Sequence, residues 1–249
     1  MGEVSDVVLP IAQEPIKDIW DATIGSWIKL CADKKRFERQ LKFEDFQKKI
    51  LVKYNRIPDD KKIEPKLAIV GPALEASKFY IDEEILRDMF AKLIANSMNL
   101  DKQQFINSAF VEIIKQMSPL DAQILKSFIT QRQQPISRFI EYRRDQDKNL
   151  KRDEFFTLVD IVYTVSESDN VDNVNLIANS VSVNNLSRLG LIECTLSQLG
   201  ERLAEDNVYE THQQIMEKVF KTQHPDVDIM KGFVKITPLG SAFIQCCMI

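Results

Sequence analysis

Apolar residues recur along the chain at the spacing of one helix face, most densely between residues 71 and 128. Ile85, Leu86, Met89, Phe90, Leu93, Ile94 and Met98 make one stripe. Phe110, Ile113, Ile114 and Met117 make a second, and Leu120, Ile124, Leu125 and Phe128 a third. Such a stripe lies on one side of a 3.6-residue helix and has to be buried against a neighbouring element. The ends of these helices are marked by chemistry as well. Gly71-Pro72 predicts the end of one short helix and the start of another, because proline at the first helical position loses an N–H that has no partner there. Asp82, Glu83 and Glu84 put negative charge where the helix dipole favours it. Ser118-Pro119-Leu120-Asp121 combines an N-cap serine, an N1 proline and an acid at the third position, close to a capping box.

Upstream, Ile16, Ile19, Trp20, Thr23, Trp27 and Cys31 fall along one side of a helix, with Ile24 and Ile28 beside them. A short amphipathic helix with two tryptophans packs on its own core, grips a partner helix or lies on a membrane surface. Trp20, Trp27, Ile16 and Ile24 are therefore the candidate partner or membrane surface. From Asp33 to Lys62 there are eleven Lys or Arg against six Asp or Glu, a local excess of five positive charges. Phe37, Leu41, Phe43, Phe46, Ile50, Leu51 and Tyr54 keep helical spacing through it, so the default is a packed helix with a basic outer face. An anionic lipid or phosphate surface is the sharper alternative.

The rhythm changes after residue 118. A helix from Pro119 to about Arg132 leads into a charged segment, 133–152. Phe155, Phe156, Val159, Ile161, Val162 and Val165 predict a further helix, and 172–189 another, closed by Gly190 as a left-handed C-cap. Leu191–Cys194 and Gly232–Ile236 read as two strands, and Thr237-Pro238 starts a last helix. Helix, helix pair, strand, loop, strand, helix is the order of a winged-helix module. The fold expected is mainly α. A helical domain over 1–117 (amphipathic helices 15–56, central helices 65–117) precedes a winged-helix-like α+β domain over 118–249, with a short two-stranded hairpin and insertions.

Seven glycines in 249 residues and 8% aromatics fit the helical reading. A net charge of −4 gives no global attraction to nucleic acid. The winged-helix order nonetheless nominates Asn184, Asn185 and Arg188 as base-facing contacts. Ten acids against Arg188 and Arg202 between Asp160 and Glu217 oppose that assignment by repelling phosphate. Phosphate-loop, dinucleotide, zinc-protease and nucleophile-elbow motifs are missing from the sequence, which supplies no cofactor, metal or small-molecule site. Cys31, Cys194, Cys246 and Cys247 lack metal spacing and read as thiols of a reducing compartment. His212 and His224 are the two available bases, both placed in a polar stretch between the strands. Asp82-Glu83-Glu84 and Asp145 with Asp147 could be drawn as metal clusters, but neighbouring acids on a helix diverge. No run of about 18 apolar residues crosses a membrane and no signal-peptide pattern opens the sequence, so the expectation is cytoplasmic. Cys246-Cys247-Met248-Ile249 superficially matches a prenylation box and is expected instead as an apolar helix end.

Four blocks are specific enough for a family. They are IEPKLAIVGPALEASKFYIDEEILRDMFAKLIANSMN, AFVEIIKQMSPLDAQILKSF, NNLSRLGLIE and VKITPLGSAF. Together they resemble the Abi-alpha (abortive infection, alpha type) family of bacterial proteins over roughly residues 60 to 249. The resemblance implies a bacterial protein of phage defence and carries over no catalytic residue. The expectation is a non-enzymatic protein acting by contact with a protein partner or with itself. A DNA-binding regulator and a membrane-surface effector are the alternatives.

Overall fold

The structure is a computed structural model and describes residue 24 and residues 33–164, 175–196 and 209–249. The chain divides into two compact units, Met1–Pro119 with Ala242–Ile249, and Leu120–Ser241.

The first unit is helical. Its described helices are α1 (Asp33–Asn55), α2 (Leu67–Ser77), α3 (Glu84–Asn96) and α4 (Ala109–Lys115). α3 is the hub, packed on by α1, α2 and α4. Its apolar stripe is the one the sequence marked, and Leu86, Met89, Phe90, Leu93 and Ile94 are all buried. Burying each such side chain contributes about 1.5–3 kcal/mol. α2 departs from expectation: Leu67–Ser77 is one helix running through Gly71-Pro72. Pro72 lies only six residues in, so its missing N–H removes one early bond and the helix continues. The end of the last helix, α8 (Pro238–Cys247), belongs to this unit from Ala242 on. Phe243 meets Phe110 edge-on at 5.2 Å. Asn96 donates to the Cys246 carbonyl at 2.9 Å and Lys92 to that of Met248 at 2.5 Å. These donors satisfy carbonyls that a helix end leaves bare.

The second unit is built on a sheet. It contains α5 (Pro119–Ser127), β1 (Gln133–Arg144), β2 (Leu150–Val162), α6 (Leu176–Arg188), β3 (Ile192–Leu196), α7 (Glu210–Ile215) with a π-helical turn (Met216–Phe220), and β4 (Val227–Ile236). The four strands are antiparallel in the order β2-β1-β4-β3. This overturns the mainly-α, winged-helix-like expectation with its two-stranded hairpin, and the fold is α+β. The expected pair is present as β3 and β4, matched from Ile192 opposite Ile236 to Leu196 opposite Gly232. Beside it runs a longer hairpin that replaces the charged segment expected over 133–152 and the helix expected over 155–165.

The physical reason is irregular register. The β1–β2 pairing shifts between Ser137 and Phe139, between Phe139 and Ile140, and between Tyr142 and Arg143. The extra residues lie on β2, and each breaks its period of two. β1 pairs evenly with β4 and is a central strand buried on both faces, with Gln134, Ile136, Ser137, Phe139 and Ile140 all buried, so it shows no one-sided alternation. Phe139, Val162, Ile215 and Met216 form a core cluster of this unit, with Phe220 edge-on to Phe139 at 5.4 Å.

Two glycines are required by geometry. Gly190 closes α6 at φ +73°, and the Leu191 N–H reaches back to the Leu186 carbonyl at 3.0 Å, as the sequence predicted. At Gly240 a Cβ would stand 2.0 Å from the Leu191 carbonyl oxygen, so only glycine admits that approach.

Candidate functional site

Both histidines lie between β3 and β4, as the sequence predicts, but His212 is held on α7 and is 1% exposed. Its Nδ1 is 3.0 Å from the Ser137 hydroxyl on β1, itself fully buried, and the Tyr209 ring stands 6.1 Å away. A serine beside a histidine is the beginning of nucleophilic chemistry. Here both atoms are sealed from solvent, and burial lowers the imidazole to about 4. A neutral, enclosed imidazole of that basicity serves packing and one hydrogen bond, not proton abstraction near neutral pH. His224 pairs through Nδ1 with the Glu141 carboxylate at 2.8 Å, and its ring leans on Phe220 at 6.3 Å.

A second buried polar group surrounds Tyr163. Its hydroxyl donates to the Gln134 side-chain oxygen at 2.5 Å and lies 2.9 Å from the Ser127 hydroxyl, which accepts from the Gln134 amide nitrogen at 2.8 Å. Asn179 of α6 donates to the Tyr163 carbonyl at 2.8 Å. Each polar atom named has a partner, so the cluster fixes α5, β1 and α6 in register without offering a free group.

The nominated base-reading residues are largely committed. Asn185 donates to the buried Asp121 carboxylate at 2.9 Å, and its side-chain oxygen accepts from Arg188 Nε at 3.2 Å and Nη2 at 2.8 Å. They tether α6 to α5, and of the three nominees Asn184 alone is an exposed side chain for which no such bond is drawn. Of the nominated contact surface, Trp20, Trp27 and Ile16 lie outside the described residues, and Ile24 is fully buried. Lysines of the basic stretch meet acids in and just before α3, and an acid of the stretch meets the α3 base Arg87. Lys42 meets Asp82 at 2.5 Å, Lys49 meets Glu84 at 3.5 Å, Lys53 meets Asp88 at 2.9 Å and Arg87 meets Asp45 at 3.0 Å. Burial pushes the Asp88 carboxyl up, yet hydrogen bonds from Lys53 and Lys92 hold it below its ordinary range. Three lysines of the stretch are thus offset by acids beyond it, while Arg87 takes up one of its own acids, so the positive excess is reduced and not cancelled.

Asp82 is taken by Lys42, and Asp145 by the backbone and side-chain N–H groups of Asn149. Among the described residues no three His, Cys, Asp or Glu converge as metal ligands. Burial pushes the Cys194 and Cys246 thiols up to about 11 and Cys247 well above its ordinary value, so all three stay protonated. Cys247 is fully buried, as expected of an apolar helix end. Among the described residues no helix is long and apolar enough to cross a membrane.

What the sequence reading missed is an outward apolar surface on α6. Ile177 is 78% exposed and Val181, one turn on, 64%. Asn184 and Arg188 continue the same face. The inward side carries Asn179, Ser182, Val183 and Leu186, all buried. α6 is therefore partly inverted, with polar groups inside bonding to the unit and branched apolar groups outside. The available signal was a helix holding more apolar positions than one face can bury. Phe156 on β2, 52% exposed, is a further outward apolar group and lies under the Arg143 guanidinium at 4.3 Å.

A family model described as abortive infection alpha matches residues 38–247. No curated protein matches. One solved structure, an uncharacterized protein from the hydrocarbon-degrading marine bacterium Alcanivorax borkumensis, aligns at 9% identity over 59% of this chain and 94% of its own. Its TM-score of 0.28 gives that likeness no weight.

Proposed function

The chain belongs to the abortive infection alpha family, and from that premise we propose that it serves bacterial phage defence in the cytoplasm through contact with a protein rather than through turnover of a substrate. The observation that carries this reading is the outward face of α6, where Ile177 and Val181 hold branched apolar groups in water. Contiguous exposed apolar side chains next to polar ones are the usual makings of a protein contact. The sealed Ser137–His212 pair supports the same reading, because the serine–histidine contact that resembles catalytic chemistry is out of a substrate's reach. Cys194, Cys246 and Cys247, free of disulfides, accord with a reducing cytoplasm.

The test is a double substitution, Ile177→Asp with Val181→Asp, in cells challenged with phage. Both positions are exposed, so the unfolding midpoint should move by no more than about 0.5 kcal/mol. Protection should fall to that of cells lacking the protein. Full protection with both aspartates in place would sink the reading. The Trp20 and Trp27 surface is tested separately by changing both to serine and measuring mass in solution. A drop from an oligomer to a monomer assigns it to self-association, and an unchanged monomer removes it from that role.

A further inference from the structure

We draw no further inference here: the strongest candidate, the outward stripe of Ile177 and Val181 on α6, belongs to the surface already described, and nothing in the structure shows what covers it.

Discussion

The two units bury different kinds of side chain. Among the described residues of the helical unit the buried polar ones are Ser77, Ser97 and Arg87, and the two serines merely bond to carbonyls three residues back. Its remaining charge sits at the rim as ion pairs, each worth little when exposed. In the sheet unit Asp121, Gln134, Ser137, Asn179, Ser182 and His212 are all buried. Several of them tie one element to another. The first unit rests mainly on apolar packing, with the buried Arg87 bonded to the Ile81 carbonyl and to Asp45, and the second on packing plus a larger set of buried directional bonds in low dielectric. The lesson is that the sheet unit should be more sensitive to geometry and to protons, while the helical unit should tolerate both.

The largest effect that sharpens this contrast is Gly240→Ala. The new methyl would meet the Leu191 carbonyl at 2.0 Å and the Ile236 side chain at 2.6 Å, and backbone cannot yield cheaply. A loss of about 3 kcal/mol or more is expected in urea denaturation, in the range of overpacked or strained sites. A midpoint within error of the parent would show that β3 and the start of α8 are not held as described.

Next comes acid. The folded protein keeps His212 neutral down to about 4, whereas the unfolded chain takes a proton near 6.5. The unfolded state binds more protons between those values, so this contribution is whole above about pH 6.5 and shrinks as pH falls toward 4. The full loss is about 3 kcal/mol. His212→Phe should flatten that part of the stability–pH profile whatever its effect at neutral pH. An equally steep profile in the variant would assign the acid sensitivity elsewhere.

A smaller effect distinguishes a tether from a reading head. Asn185→Ala removes the donor to Asp121 and the acceptor for Arg188, and should cost about 1.5 kcal/mol, as for a hydrogen bond to a charged group. If Asn185 only faced solvent, the midpoint would stay put. The smallest change belongs to the helical unit. Beyond its chain neighbours, a Cβ at Gly71 meets nothing within 4 Å in the middle of α2. The helix propensity gained by Gly71→Ala is opposed by crowding of the new Cβ against the ring of Pro72, so stability should shift by less than about 1 kcal/mol. A loss well above that would mean that the unbroken course of α2 through Pro72 is wrong.

The same contrast decides what could be read in advance. In the helical unit, burial follows a strict 3.6 period, and Leu86 to Ile94 were legible as a core face. Gly190 and the β3–β4 pair were legible too, because left-handed caps and short branched runs have local causes. The β1–β2 hairpin was not, because three register shifts break the period of β2 and the central strand β1 is buried on both faces, so neither strand alternates apolar with polar. The partial offset of α1's charge was hidden for another reason: its partners Asp82, Glu84 and Asp88 are 35 to 40 residues away in sequence, beyond any window count. The burial of His212 and the inversion of α6 are tertiary facts. Nothing local distinguishes an asparagine that bonds inward from one that faces water.

The hairpin's irregularity also bears on how the protein behaves when abundant. β2 is thirteen residues long and forms one margin of the sheet, and a flat strand in that position is a template on which identical chains can stack into fibres. Kinks at three points along its pairing spoil the even ladder such growth needs. The kinked strand thereby discourages edge-to-edge stacking, and straightening that ribbon by deleting a bulge is expected to favour self-polymerisation, read by light scattering at high concentration.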